Sequence, residues 1–292
     1  MRGAARTLWS AATLSAMCAA ALPVVLMMDR ARGSKPSDGP SEERAERAHR
    51  ARHFYLPAHD GASLDHEEEV AEDTLALVCE WLQIDVAEFG KLPVYFCRSI
   101  DELETLEQEL GLPRPAVPRP PELLGGYYPR VPTIAVVVAP KHRAAAISHE
   151  VVHWAISRVT PRCPRVIDEG LAEYLSYRLL ARRADCREAV VDALGRRTRS
   201  LARIVDAGPL PSLRGMFQMG FWEFQNASCY YLSWCMGDVL CELEAQGEGT
   251  LRRLLEGFAS SEDPWAVFDS LYVADRVERL WWGVIRNAAD AE

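Results

Sequence analysis

The sequence predicts an α+β fold in which a small mixed β-sheet precedes a mainly α-helical C-terminal half. Runs rich in β-branched and aromatic residues at 53–56, 92–97 and 133–138 are typical of strands and lie only in the first half of the chain. The last run leads into 147–154, where apolar residues recur at helical spacing. Beyond residue 165 the apolar pattern stays helical. Strands that come first and helices that follow are typical of an α+β domain.

Composition bounds the class of protein. With 292 residues and 49% hydrophobic side chains, the chain can bury a substantial core, and one main domain is expected. The net charge is -9, and the basic residues are scattered among more numerous acidic ones. No basic surface for nucleic acid is therefore expected.

The N-terminal segment 1–28 has the features of a signal sequence or membrane anchor. Arg2 and Arg6 precede an uncharged run at 11–28, whose length is borderline for a membrane-spanning helix. Cleavage at the alanines 19–21 would leave an apolar stretch exposed, which favours a retained anchor. A buried N-terminal helix is the alternative. The expected location is therefore the membrane or the cell envelope, and basic residues after the run leave the orientation open.

Residues 29–50 are charged and nearly free of large apolar side chains, so we expect a flexible linker there. A folded domain is expected over 51–292. Within it a Pro-rich segment at 113–121 excludes regular structure, and 214–225 is expected to be an aromatic loop. Helices are predicted near 64–82, 99–110, 185–205, 226–245, 252–258, 265–271 and 277–285.

The segment from His149 to His153 has the pattern of a two-histidine metal site. Residues four apart lie on one face of a helix, so both imidazoles can reach one ion. Glu150 lies about 100° round the helix from His149, where it can reach a water molecule but is poorly placed as a ligand. Glu150 is therefore the candidate general base.

A catalytic zinc site needs a third protein ligand and one open position, and a carboxylate can complete two histidines. Glu169 is the best candidate. Pro161 and Pro164 are expected to end the first helix, so that a second helix can run back beside it. On that helix Glu173 shares a face with Glu169 and is expected to accept a ring N–H from a ligating histidine. One zinc ion is the expected cofactor.

The string HEVVH at 149–153, followed by DEGLAEY at 168–174, resembles the gluzincin zinc metallopeptidases, as in the aminopeptidase-N and thermolysin-like groups. The similarity is best over about 125–247, and the flanking domains of those aminopeptidases have no counterpart, so the chain looks like a compact member. The resemblance implies a zincin-like fold, hydrolysis of a peptide or protein substrate by metal-activated water, a base at Glu150, and zinc ligands at His149, His153 and Glu169.

Two further expectations come from the resemblance alone. In gluzincins the strand before the HExxH helix lies at the sheet edge and pairs with extended substrate, which implies that role for 133–138, with 125–128 at the rim of the cleft. A hairpin without a ligand role is the alternative for the two glycines. The aminopeptidases also use a tyrosine to stabilise the transition state. Tyr230 and Tyr231 lie at the corresponding distance, with Tyr230 preferred and two core tyrosines as the alternative.

Two other classes of protein stay open. One is a non-catalytic, membrane-anchored binding or scaffold protein with a degenerate zincin fold, against which the intact Glu150 argues. The other is a structural zinc site, which would need a fourth protein ligand such as Cys163 or Cys229. The spacing of the cysteines suits neither a CxxC zinc site nor a small disulfide scaffold.

Overall fold

The structure is a computed structural model that describes residues 53–56, 64–111, 125–220, 223–224, 229–246 and 251–290. The predicted anchor at 1–28 and linker at 29–50 lie outside these residues. In the described part, none of the helices has both the length and the apolar character needed to cross a membrane.

The described chain forms an α+β fold that is mostly helical, with one small mixed sheet, so the predicted fold class is confirmed at that level. No strand follows residue 137 in the described ranges. The strands are β1 (Phe54–Tyr55), β2 (Leu92–Cys97), β3 (Gly125–Tyr128) and β4 (Thr133–Val137). The helices are α1 (Asp65–Leu82), α2 (Ile100–Glu109), α3 (Arg143–Val159), α4 (Arg165–Arg182), α5 (Arg187–Ala207), α6 (Leu213–Gln218), α7 (Cys229–Ala245), α8 (Leu251–Ser260), α9 (Pro264–Tyr272) and α10 (Ala274–Ala289).

The sheet has the order β1-β2-β4-β3, with β1, β2 and β4 parallel and β3 antiparallel to β4. Ile134 and Val136 of β4 face the main core, whereas Ala135 packs with Leu103 of α2 on the other side. A parallel strand covered on both faces has no polar face to present. This explains why β4 is apolar throughout from Ile134 to Val137.

Strand β3, not β4, forms the edge of the sheet in the described residues. The sequence analysis placed 133–138 at the edge, and that expectation is wrong because β4 lies between β2 and β3. Gly125 allows the close pairing of β3 with β4. Its φ is 126°, and a Cβ there would lie 2.0 Å from the carbonyl oxygen of Ala135. Gly125 and Gly126 therefore belong to the edge strand itself.

Helices α3 and α4 form the predicted pair. Helix α3 ends at Val159, and Pro161 and Pro164 fall in the short connection before α4 begins at Arg165. The apolar side of α3 packs into the core, where the ring of Trp154 meets the ring of Phe89 edge-on at 4.8 Å. This packing fixes the rotation of α3 and leaves its histidine-bearing face toward α4.

Helices α4 and α7 approach so closely that two glycines meet. A Cβ on Gly237 would lie 2.0 Å from the carbonyl oxygen of Gly170, and a Cβ on Gly170 would lie 2.4 Å from the carbonyl oxygen of Ser233. At both positions the nearest atoms are backbone atoms of the other helix, so side chains at these positions would force the helices apart.

The variant Gly237→Ala should lower the free energy of unfolding by about 1–3 kcal/mol, because its methyl group has no space between α4 and α7. Chemical denaturation measures the change. Gly195→Ala on α5 is the matched control, since the nearest atom to its Cβ is a side-chain nitrogen of Arg199 at 3.5 Å. That control should be neutral or more stable, by up to about 1 kcal/mol. Equal effects at the two sites would contradict this account of the helix contact.

Two parts of the C-terminal half differ from expectation. The aromatic segment begins with a six-residue helix, α6, whose N-terminus is capped by Ser212 accepting a hydrogen bond from the backbone N–H of Gly215. The closing helices α8 to α10 are each longer than predicted. Trp281 of α10 is fully buried, and its indole N–H donates to the carbonyl of Leu232 at 2.8 Å. This bond ties α10 to α7.

Candidate metal centre

Three potential metal ligands from α3 and α4 converge at one point. Nε2 of His149 and Nε2 of His153 lie 3.0 Å apart, and Oε2 of Glu169 lies 3.4 Å from each of them. Two ligand atoms bound about 2.1 Å from a tetrahedral zinc lie about 3.4 Å apart. The donor types and their separations therefore fit a single zinc ion.

The carboxylate of Glu169 has one oxygen occupied and one oxygen available. Oε1 accepts a hydrogen bond from Arg165 at 3.0 Å, which orients the group. Oε2 is buried and accepts no hydrogen bond, although it faces both histidines. A buried anionic oxygen that accepts no hydrogen bond is costly, and a cation bound between it and the two imidazole nitrogens would reduce that cost.

Asp168 orients His153. Its Oδ1 lies 2.9 Å from Nδ1 of His153, so the Nδ1–H of the neutral ring donates to the carboxylate and Nε2 keeps a free lone pair. The sequence analysis missed this partner, although Asp168 directly precedes Glu169 in the DEG string. Glu173, the predicted partner, lies on the His149 side, with Oε1 3.7 Å from Nδ1 of that ring. That distance is an ion-pair contact longer than a hydrogen bond.

The charges at the site shift the pKa values of all three candidate ligands. Burial alone would raise the pKa of Glu169, but His153 and His149 outweigh it and hold the pKa far below its usual range. Burial lowers the pKa of His153, but Asp168 and Glu169 raise it well above the ordinary histidine value. Burial also opposes the rise at His149, where the charge of Glu173 raises the pKa. The metal-free site thus attracts positive charge.

Glu150 directly follows His149 on α3 and contacts the edge strand. Its Oε2 accepts a hydrogen bond from the backbone N–H of Tyr127 at 2.7 Å. A Cβ on Gly126 would lie only 3.7 Å from the same oxygen. Glu150 was expected to lie near the metal without being a ligand. It is absent from the metal-ligand group, and its role as general base stays a prediction.

Two tyrosines and two cysteines were also candidates for the site. Tyr230 and Tyr231 lie in the first turn of α7, both partly buried, and the ring of Tyr230 meets the ring of Phe224 edge-on at 5.4 Å. A role for either tyrosine in catalysis stays a prediction. Cys163 and Cys229 do not join the His149 group among the described residues, so a fourth protein ligand of that kind is absent there.

A second set of potential ligands is formed by His66, Asp185 and Cys186. Its carboxylate already has a cationic partner, since Arg183 lies 3.4 Å from Oδ2 of Asp185. His66 and Asp185 are also exposed. Asp185 is thus exposed and hydrogen-bonded, whereas Oε2 of Glu169 is buried and accepts no hydrogen bond, so we assign no ion to the second set.

Zinc should stabilise the chain more strongly as the pH rises. The raised pKa values of His149 and His153 mean that protonation of the metal-free pair contributes stability at low pH, which is lost as the pH rises through those values. A metal needs neutral imidazoles, so protons compete with zinc at low pH. The increase in melting temperature on adding zinc should be small at about pH 5 and large at about pH 8. An equal increase in the His149→Ala/His153→Ala variant would contradict this assignment.

Comparison with models of protein families, with curated proteins and with solved structures finds no match to this chain.

Proposed function

We propose that the chain is a zinc-dependent peptidase of gluzincin type with a zincin-like fold. The observation that carries the proposal is the convergence of Nε2 of His149, Nε2 of His153 and Oε2 of Glu169, with the carboxylate oxygen accepting no hydrogen bond. Two imidazoles and one carboxylate are a known ligand set of catalytic zinc, which keeps a fourth position open for water or substrate.

The position of Glu150 supports a catalytic rather than a purely structural site. A structural zinc site is closed by four protein ligands and has no use for a base. Here three candidate ligands are grouped in the described residues, and a further carboxylate lies next to His149 in the sequence without joining them. That arrangement favours the peptidase over a scaffold protein with a degenerate site.

In the proposed reaction Glu150 acts as general base and then as general acid. It takes the proton from the attacking water and passes it to the leaving amine. The N–H of Tyr127 holds the carboxylate of Glu150 in place beforehand. Zinc bound by His149, His153 and Glu169 would supply the Lewis acid that polarises the water and the scissile carbonyl. Tyr230, or alternatively Tyr231, is the proposed donor to the oxygen that gains negative charge.

The proposed substrate is a peptide or protein that lies in extended form along β3. This strand is the sheet edge in the described residues, and its Tyr127 contacts the proposed base. An edge strand offers backbone groups to a partner strand. The N–H of Tyr127 already donates to Glu150, and pairing with other backbone groups of β3 would bring a peptide bond beside Glu150. Membrane attachment or export through residues 1–28 belongs to the same proposal.

Metal analysis and peptide turnover on the purified chain test the function together. The proposal expects one zinc per chain, cleavage of members of a peptide library, loss of cleavage on removal of zinc by a chelator, and recovery when zinc is restored. Zinc binding without turnover of any peptide would favour the non-catalytic binding or scaffold protein. A tightly held zinc without an exchangeable water would favour a structural site.

A further inference from the structure

Arg197 of α5 contacts Glu173, a residue that also faces the candidate zinc ligand His149. Its guanidinium is largely buried, with 13% of the side chain exposed, and Nη2 donates to Oε2 of Glu173. The other oxygen of Glu173 faces Nδ1 of His149. The three residues form a line from α5 through α4 to α3 that ends at a candidate zinc ligand.

We infer that Arg197 is a positioning residue for the metal site, and that it acts through Glu173 on His149. The inference rests on the proposed zinc site. A glutamate side chain has several rotamers, and only some of them direct one oxygen to His149. Arg197 holds Oε2 and thereby fixes where Oε1 points. A carboxylate held beside Nδ1 favours the tautomer in which Nε2 carries the free lone pair.

Arg197 is itself held by two aromatic rings. Its guanidinium lies 4.3 Å from the ring centroid of Tyr177 on α4 and 5.7 Å from that of Trp234 on α7. Contacts of this kind suit a planar guanidinium and limit its movement. Burial lowers the pKa of Arg197, but the charge of Glu173 outweighs this and raises it, so the cation persists beside the carboxylate. The guanidinium is therefore a fixed support for Glu173.

Arg183 provides a matched comparison within the same fold. Its side chain is similarly buried, with 15% exposed, and it also forms ion pairs with carboxylates, those of Asp73 and Glu69 of α1 and that of Asp185. None of these carboxylates belongs to the His149 group or forms an ion pair with its histidines. Removing Arg183 therefore releases no residue in contact with His149 or His153, whereas removing Arg197 releases Glu173.

The experiment measures the zinc Kd of the full chain by competition with a chromophoric chelator, together with its melting temperature. R197M and E173Q should each weaken zinc binding about tenfold or more, and R197M/E173Q should bind zinc no more weakly than E173Q alone. R183M should lower the melting temperature and leave the zinc Kd unchanged.

Three results would overturn the inference. One is a zinc Kd for R197M equal to that of the wild type. Another is an increase in the zinc Kd of R197M/E173Q by a factor equal to the product of the factors for the two single variants, because Arg197 would then act independently of Glu173. The third is an equal weakening in R183M. If R197M does not fold, R197M/E173Q is compared with E173Q instead, because the double variant buries no unpaired charge. Equal zinc Kd values for these two variants support the inference, and weaker zinc binding by R197M/E173Q overturns it. A wild type that binds no zinc would instead overturn the proposed function, and this inference with it.

Discussion

Glu150→Gln should remove peptide hydrolysis while the chain keeps its zinc. We expect kcat to fall by about 10²–10⁴-fold, because an amide cannot accept the proton from the attacking water. The glutamine oxygen can still accept the hydrogen bond from Tyr127 N–H, so the side chain should stay where Glu150 lies. His149, His153 and Glu169 are unchanged, and the zinc content should equal that of the wild type. Single-turnover kinetics and metal analysis on the same preparation measure both quantities.

Glu72→Gln is the matched control for this variant. Like Glu150, Glu72 accepts a hydrogen bond from a backbone N–H, that of His53, but it belongs to α1 and is outside the metal-ligand group. The Glu72→Gln variant should hydrolyse peptides at the rate of the wild type. Unchanged turnover in Glu150→Gln would contradict the assignment of the general base. A loss of zinc in Glu150→Gln would show that Glu150 is a ligand.

Glu169→Gln should weaken zinc binding by more than about 100-fold, which is the upper range for changes to partners outside the ligand shell. The amide has nearly the same shape, but it carries no charge and can turn N–H donors toward the two histidines. Its oxygen can keep the contact with Arg165, so the fold should survive. Turnover at limiting zinc should fall in parallel with zinc binding, because fewer chains then hold the ion that the reaction needs.

The matched control is Glu107→Gln on α2. Glu107 is as buried as Glu169, with 2% against 4% exposed, and it accepts a hydrogen bond from the hydroxyl of Tyr128. It belongs to the opposite side of the sheet, with Leu103 and Ala135. The zinc Kd of this variant should be unchanged. A Glu169→Gln variant that binds zinc as tightly as the wild type would exclude Glu169 as a ligand.

Local periodicity was enough to predict the pair of helices at the site. The four-residue spacing of His149 and His153 sets a common face, and Pro161 and Pro164 limit where α3 can end and α4 can begin. The convergence of Glu169 with both histidines follows from that geometry, and the structure brings the three together as expected. These features depend on residues close in sequence, so the sequence alone could define them.

The partners around the ligands could not be predicted in the same way. Arg197 reaches Glu173 from α5, a contact that depends on how α5 packs against α4. The crossing of α4 and α7 at Gly170 and Gly237 likewise joins distant parts of the chain. Such contacts arise from tertiary packing, which no local pattern specifies. Asp168 is different, because it directly precedes Glu169 in the sequence and could have been predicted as a partner of the site.

The error in the sheet has a related cause. Analogy placed 133–138 at the edge, because that strand directly precedes the helix with the histidines. The edge is instead β3, which pairs with β4 as a hairpin whose turn lies at 129–132. Strand order depends on pairing between segments and is not given by the order along the chain. The correction moves the proposed peptide-binding edge to β3, where Tyr127 contacts Glu150.

X-ray absorption at the zinc edge of the purified, zinc-loaded chain tests the central claim most directly. The account predicts one zinc per chain with only nitrogen and oxygen neighbours at about 2.0–2.2 Å, two of them showing the multiple scattering of imidazole rings. A sulfur neighbour at about 2.3 Å, or a wild-type chain that binds no zinc at all, would contradict the account.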